Sequence, residues 1–245
     1  ILGTNIPGFS YDDFQPDVSD LRFSTTNGLG LNYEIENWDM LASSYVWVNV
    51  PNLSTQEQSI IAYWGNVNSI GVSTYAAIGG AWDDDYRAVW HLNGDFVDST
   101  EIGVIGVIDG ASNTSGIVSG GLNFDGIDDF VDPRIFNDWY GENIDDLTVS
   151  LWVKPANSTP GDPFGTEDAG GDADLKIQAG LGGNWSYAVG DKFNLIHLMD
   201  VNEWQMLTIV LKDFQALGYW NDDPVDVIGS YTQFVPLDIP FVGKL

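Results

Sequence analysis

Apolar residues in this chain alternate with polar ones and almost nowhere recur at the three- and four-residue spacing of a helix. Gly, Asn, Asp and Ser break the pattern at short intervals, and 28 glycines with 10 prolines supply turns for many short strands. In Ser44-Tyr45-Val46-Trp47-Val48-Asn49-Val50, the three valines share one face while Tyr45, Trp47 and Asn49 share the other. Both faces carry bulk, so this strand is expected to be covered on two sides. The same pattern predicts strands at residues 31–36, 45–50, 59–64, 88–92, 121–124, 129–131, 148–154, 175–179, 187–189 and 205–211. The fold class is therefore all-β.

Material for a core is ample: 44% of the residues are hydrophobic and 13% aromatic, which sets aside charge-driven disorder despite a net charge of −28. That charge excludes a reader of the phosphate backbone, which needs a basic stripe, and disfavours an acidic membrane surface. No run approaches the roughly 20 apolar residues of a membrane span. With no cysteine there is neither a disulfide nor a thiolate site. The opening Ile1-Leu2-Gly3-Thr4 has no basic start and no cleavage site, and begins apolar, as if cut within a domain.

Asp125-Gly126 and Asn221-Asp222 read as hairpin turns, and residues 157–174 as the longest loop. Gly79-Gly80 separates two patterned blocks, which places the domain boundary near residue 80: a small antiparallel β domain over 1–80 and a larger domain over 81–245.

The second block resembles the bacterial laminin-G-like jelly rolls of the concanavalin A-like fold. The resemblance lies in Ala88-Val89-Trp90-His91-Leu92, Asp98-Ser99-Thr100, and Gly121-Leu122-Asn123-Phe124-Asp125-Gly126-Ile127-Asp128-Asp129-Phe130-Val131. It continues through Leu147-Thr148-Val149-Ser150-Leu151-Trp152-Val153-Lys154-Pro155 and Val201-Asn202-Glu203-Trp204. The first block is similar to a domain of unknown function that often precedes such jelly rolls in large bacterial surface proteins. Its marks are Asp20-Leu21-Arg22-Phe23, Leu31-Asn32-Tyr33-Glu34-Ile35-Glu36-Asn37-Trp38, Val46-Trp47-Val48-Asn49-Val50-Pro51 and Ala62-Tyr63-Trp64-Gly65-Asn66. The resemblance implies a jelly-roll β-sandwich behind a smaller, N-terminally incomplete β domain. It also implies an extracellular or cell-surface bacterial location and a polysaccharide or glycan as partner.

Sugar rings stack their C–H faces on aromatic planes while polar side chains take their hydroxyls. Trp139 with Tyr140, Trp185 with Tyr187, and Trp82 with Tyr86 sit in polar or Gly-flanked stretches and are the candidate ligand contacts. The competing reading is that they cap the sandwich or fill a seam. Trp38, Trp47, Trp64, Trp90, Trp152 and Trp204 lie within strand patterns and are expected in the core. His91 is expected to be a packed or hydrogen-bonded strand residue.

Calcium needs clustered hard oxygens. Asn93, Asp95 and Asp98 form the first candidate cluster, in the segment where related jelly rolls carry an acidic turn. Asp125, Asp128 and Asp129 form a second, and Asp168, Asp172 and Asp174 a third. Turn formation and solubility explain such clusters equally well in a chain with 36 acids. Glu34 and Glu36 share a strand face with Asp39 just beyond, a set a hydrolase could use, although the spacing departs from that of related glucanases. With two histidines, no Gly-x-Ser-x-Gly elbow and no phosphate loop, other catalytic signatures are missing. The sequence thus favours a non-catalytic carbohydrate-binding or adhesive module of a larger secreted or surface protein. A polysaccharide-active hydrolase or lyase is one alternative, and a self-associating filament or array subunit another.

Overall fold

A computed structural model describes residues 1–53, 59–71, 73–134, 146–167, 173–180, 182–190, 192–228 and 240–244. The chain forms two compact units, Ile1–His91 with Val97–Gly103, and Leu92–Phe96 with Val104–Leu245. The main division falls after His91 rather than near residue 80, and a short segment is exchanged on either side of it.

Among the described residues, the strands of the first unit are β1 (Arg22–Thr25), β2 (Gly30–Leu31), β3 (Tyr33–Asn37), β4 (Tyr45–Val48) and β5 (Ile60–Tyr63). β1 pairs with β2 on one side and β5 on the other, while β3 and β4 form a separate antiparallel pair. Alternation drives burial. Tyr33 and Ile35 turn toward a core of Leu2, Phe9, Tyr11, Leu21, Phe23 and Leu31, and Val46 and Val48 of β4 pack against it. Aromatic rings fill one end of this core: Phe14 stacks on Trp64 at 5.6 Å and meets Trp38 edge-on at 4.9 Å. Tyr33 pays for its burial by donating its hydroxyl to the Leu21 carbonyl at 2.7 Å.

The second unit begins with β6 (Val107–Asp109), β7 (Ser112–Ser115), β8 (Gly120–Asn123), β9 (Phe130–Asp132) and β10 (Leu147–Val153). It continues through β11 (Gly161–Glu167), β12 (Ala173–Ala179), β13 (Asn184–Val189), β14 (Lys192–Leu198) and β15 (Gln205–Lys212). It ends with β16 (Gln215–Trp220), β17 (Asp223–Ile228) and β18 (Pro240–Lys244). A seven-stranded sheet ordered β14-β13-β12-β11-β18-β9-β6 faces a four-stranded sheet ordered β10-β15-β16-β17, and β7 and β8 form a hairpin. All ladders are antiparallel. Leu175, Ile177, Trp185, Tyr187 and Val189 of one sheet pack on Leu207, Ile209, Leu211 and Ala216 of the other.

Several sequence expectations are corrected. Residues 88–92 form no strand; Trp90 takes part in an isolated bridge to Asp98. Asp125-Gly126 is a turn, with Gly126 at φ 78° and Ile127 N–H donating to the Asp125 carboxylate, but not a hairpin. β8 pairs with β7, and β9 pairs with β18 and β6. The expected loop at 157–174 holds β11. Its Pro163 falls at a register shift between Gly161 and Phe164, which is where a central strand tolerates a missing N–H. The Asn221-Asp222 turn is as expected, joining β16 to β17 with Asn221 at φ 54°. Among the described residues no helix is long and apolar enough to cross a membrane.

Candidate functional site

The alternation that buries Tyr33 and Ile35 sends Glu34 and Glu36 to the opposite face of β3. Glu34 stands opposite Trp47 on β4, and a register shift between Ile35 and Asn37 sets Glu36 at a bulge. One hairpin thus delivers two carboxylates and an indole to the same side. Two further segments of the same unit complete the group. Turns closed by Trp82 N–H to the Gly79 carbonyl and Tyr86 N–H to the Asp83 carbonyl place Trp82 beside Tyr86. The Trp90–Asp98 bridge and the Ser99 N–H bond to the Val89 carbonyl hold residues 89–91 beside 98–99.

His91 sits at the centre. Its Nδ1 is 2.6 Å from Glu36 Oε2 and its Nε2 is 3.4 Å from Glu34 Oε2. Each carboxylate also holds an indole: Trp82 Nε1 donates to Glu34 Oε2 at 2.5 Å, and Trp47 Nε1 donates to Glu36 Oε2 at 3.0 Å. Ser99 Oγ donates to Glu34 Oε1 at 2.8 Å. The imidazole stacks on Trp47 (5.7 Å, 18°) and lies tilted against Trp82 (5.8 Å, 47°), and Trp82 meets Tyr86 edge-on at 5.1 Å.

Burial alone would push the His91 proton off, but the hydrogen bonds and charges of Glu34 and Glu36 outweigh it and raise the group to about 9. His91 is therefore an imidazolium at neutral pH. For Glu34, burial works toward protonation, yet hydrogen bonds from His91, Trp82 and Ser99 and the imidazolium charge bring it below its ordinary value. The Glu36 side chain is 2% exposed and that of Glu34 30%. Trp47 keeps 36% of its surface exposed and Tyr86 47%. The result is a fixed ionic centre beside two accessible aromatic surfaces and one accessible carboxylate.

The other sequence candidates are distributed as follows. Asp39 stands apart, its carboxylate accepting Leu41 N–H in a turn. Trp139 and Tyr140 lie outside the described residues. Trp185 and Tyr187 are corrected from loop to core. Two apart on β13, they share its inner face, and both are buried. Trp185 Nε1 donates to Gln205 Oε1 at 3.0 Å, and the Tyr187 hydroxyl to the Ala216 carbonyl at 3.1 Å. Asn93 and Asp95 belong to the second unit and Asp98 to the first. Asp98 is buried, with one oxygen accepting Val89 N–H and Thr100 N–H and the other the Thr100 hydroxyl. Asn93 Nδ2 donates to Ser119 Oγ.

Among the described residues, Asp125, Asp128 and Asp129 form the carboxylate group able to converge on a cation, with oxygens within 4.8 Å of one another. Three carboxylates are fewer than the six to eight oxygens calcium takes, so backbone or water oxygens would complete such a shell. Asp168 and Asp172 lie outside the described residues.

Trp47 and Trp152, expected in the core, are 36% and 46% exposed. The signal for Trp47 was present in the alternation of β4, where burying the valines turns the indole outward.

A family model for a domain of unknown function, DUF2341, matches residues 17–93, less than half of the chain. No curated protein matches. Among solved structures, domain 4 of AbnA matches, a GH43 extracellular arabinanase from Geobacillus stearothermophilus in complex with arabinotriose. It is 18% identical, with 62% of this chain and 83% of that domain covered and a TM-score of 0.50. The carbohydrate-binding module CBM66 from Bacillus subtilis is 13% identical over 64% of this chain and 96% of its own, at a TM-score of 0.35. A Trypanosoma rangeli sialidase in complex with the inhibitor DANA is 14% identical over 61% of this chain, at a TM-score of 0.43. The chain spans 24% of that sialidase. At 18% identity the likeness to the AbnA domain is one of fold alone, and it agrees with the two antiparallel sheets of a jelly-roll β-sandwich.

Proposed function

We propose that this chain is a non-catalytic carbohydrate-recognition module of a larger extracellular bacterial protein, and that the face of the first unit around Trp47 and Tyr86 contacts the glycan. The observation that carries the reading is the pairing of exposed aromatic surface with a tied-down carboxylate. Trp47 and Tyr86 offer apolar planes for sugar rings, and the accessible edge of Glu34 offers an acceptor for hydroxyls. Because Trp82, Ser99 and His91 already orient Glu34, little side-chain entropy is lost when a ligand binds. The same contacts weigh against hydrolysis. A glycosidase needs one carboxyl kept protonated near neutral pH, and Glu34 is shifted the other way.

The laminin-G-like character of the second unit and a calcium ion at one of its acidic turns belong to this proposal too. Asp125, Asp128 and Asp129 supply the converging oxygens for that ion.

The test is retention of the chain on insoluble plant, algal and microbial polysaccharides, with calcium and with chelator, while the supernatant is assayed for released oligosaccharide. Retention without release is expected, with Trp47→Ala and Tyr86→Ala each weakening it about tenfold, near the upper range of one aromatic contact. Unchanged retention in both variants would move the site elsewhere. Release of oligosaccharide would replace recognition with catalysis, and no retention would favour a self-associating or protein-binding role.

A further inference from the structure

We propose that His91, as its imidazolium, is the positioning residue of this site: it locks the Glu36–Trp47 and Glu34–Trp82 pairs into one arrangement, so that a glycan meets aromatic planes already set. The inference rests on the glycan-binding reading of the same residues.

In each carboxylate a single oxygen, Oε2, takes both an indole N–H and the His91 ring. The ring is what joins the two carboxylates. Only the imidazolium can donate from both nitrogens; a neutral ring donates from one and turns a lone pair toward the other carboxylate. Losing the proton would therefore break one arm and leave two carboxylates on one strand face without the cation between them. Glu36 is the costlier of the two to leave uncompensated, because its side chain is almost fully buried. The charge also lies within about 6 Å of the centres of both Trp47 and Trp82, the range in which an aromatic face attracts a cation. The groups around the ring are Glu34 and Glu36 from β3, Trp47 from β4, Trp82 from the turn region, and Ser99 acting through Glu34. The charged ones among these are the two glutamates. The raised affinity of His91 for its proton agrees with this geometry and places its loss near pH 9.

The test is a pH titration of the intact chain from 6 to 10.5, following the histidine ring and tryptophan indole N–H resonances by NMR. H91Q, W47F and W82F provide the assignments. The Trp47 and Trp82 indole signals are expected to move with the same midpoint as His91, near 9, while the remaining indoles, Trp220 stacked on His197 among them, show no step there. In parallel, affinity for arabinotriose and for a laminarin hexasaccharide is measured across the same range. A tenfold fall with that midpoint is expected for the oligosaccharide that binds. H91Q should bind at least tenfold more weakly at pH 7 and show no step near 9, whereas H197Q should behave as the parent chain. Indole signals that ignore the His91 titration, or an affinity that stays level through it, would overturn the positioning role. If neither sugar binds at any pH while the indole signals still follow His91, the glycan reading fails and the coupling within the cluster stands.

Discussion

The Glu36 side chain and Gln205 are both nearly sealed from solvent; Glu36 Oε2 takes the His91 ring and the Trp47 indole, and both ends of the Gln205 amide are bonded. For the His91–Glu34–Glu36 group the consequence is a stability that depends on pH. His91 rises from 6.5 to about 9 on folding, so the folded chain holds the proton more tightly than the unfolded one. Its contribution is complete below about 6.5 and lost as pH climbs through 9, and is on the order of 3 kcal/mol when complete. Glu34 runs the other way. Its lowered value stabilises the fold above its ordinary 4.5 and ceases to do so as pH falls. Urea denaturation should therefore show greatest stability from this group between about 4.5 and 6.5 and a decline by pH 9.5. H91Q should flatten the alkaline limb; parallel curves for H91Q and the parent would contradict this account.

Gln205 makes a second residue-scale prediction. Its Oε1 accepts Trp185 Nε1, Trp220 Nε1 and Asp200 N–H, and its Nε2 donates to the Asp200 and Glu203 carbonyls. Gln205→Leu keeps the volume and strands two indole donors, a loss of about 3 kcal/mol by chemical denaturation.

At the scale of elements, the spacing between the two sheets of the second unit depends on a strand residue with no side chain. A Cβ on Gly218 of β16 would lie 2.8 Å from Cε1 of Tyr187, whose hydroxyl is anchored on the Ala216 carbonyl of that same strand. The ring is buried and tethered and cannot easily withdraw. Gly218→Ala should cost about 1–3 kcal/mol, the usual penalty of overpacking, read as a lower Tm. Gly218→Ala combined with Tyr187→Leu should recover part of that loss, since the ring is removed; no recovery would place the strain elsewhere. The β3–β4 hairpin shows element geometry acting on function. Its register pairs Glu34 with Trp47, and the bulge at Glu36 lets both carboxylates reach one imidazole.

For the whole molecule the governing quantity is a charge of −28, which repels itself in any compact state. Screening should relieve this. Raising NaCl from 0.01 to 1 M shortens the Debye length from about 30 to about 3 Å, and Tm is expected to rise over that range. The buried His91 cluster is screened far less than the surface, so the alkaline decline in stability should persist at high salt. A Tm that falls with salt would mean that surface attraction outweighs repulsion.

Fold class was legible in the chain because strand alternation and turn chemistry are local. The valines of β4, the apolar positions of β10 and β15 and the Asn221 turn all lie where the pattern places them. Burial within a strand was legible only in part: alternation turns Trp47 and Trp152 outward although both were expected in the core, and Trp185 and Tyr187, read as loop-like, are buried. Which strands pair was not legible: β8 and β9 flank a turn yet join different partners. The site divides in the same way. That Glu34 and Glu36 share a face follows from a period of two. That His91, Trp82 and Ser99, 57, 48 and 65 residues from Glu34, reach that face was decided by the tertiary fold. Alternation carries information over a few residues, whereas contacts across such distances depend on how separate elements bury their apolar faces together.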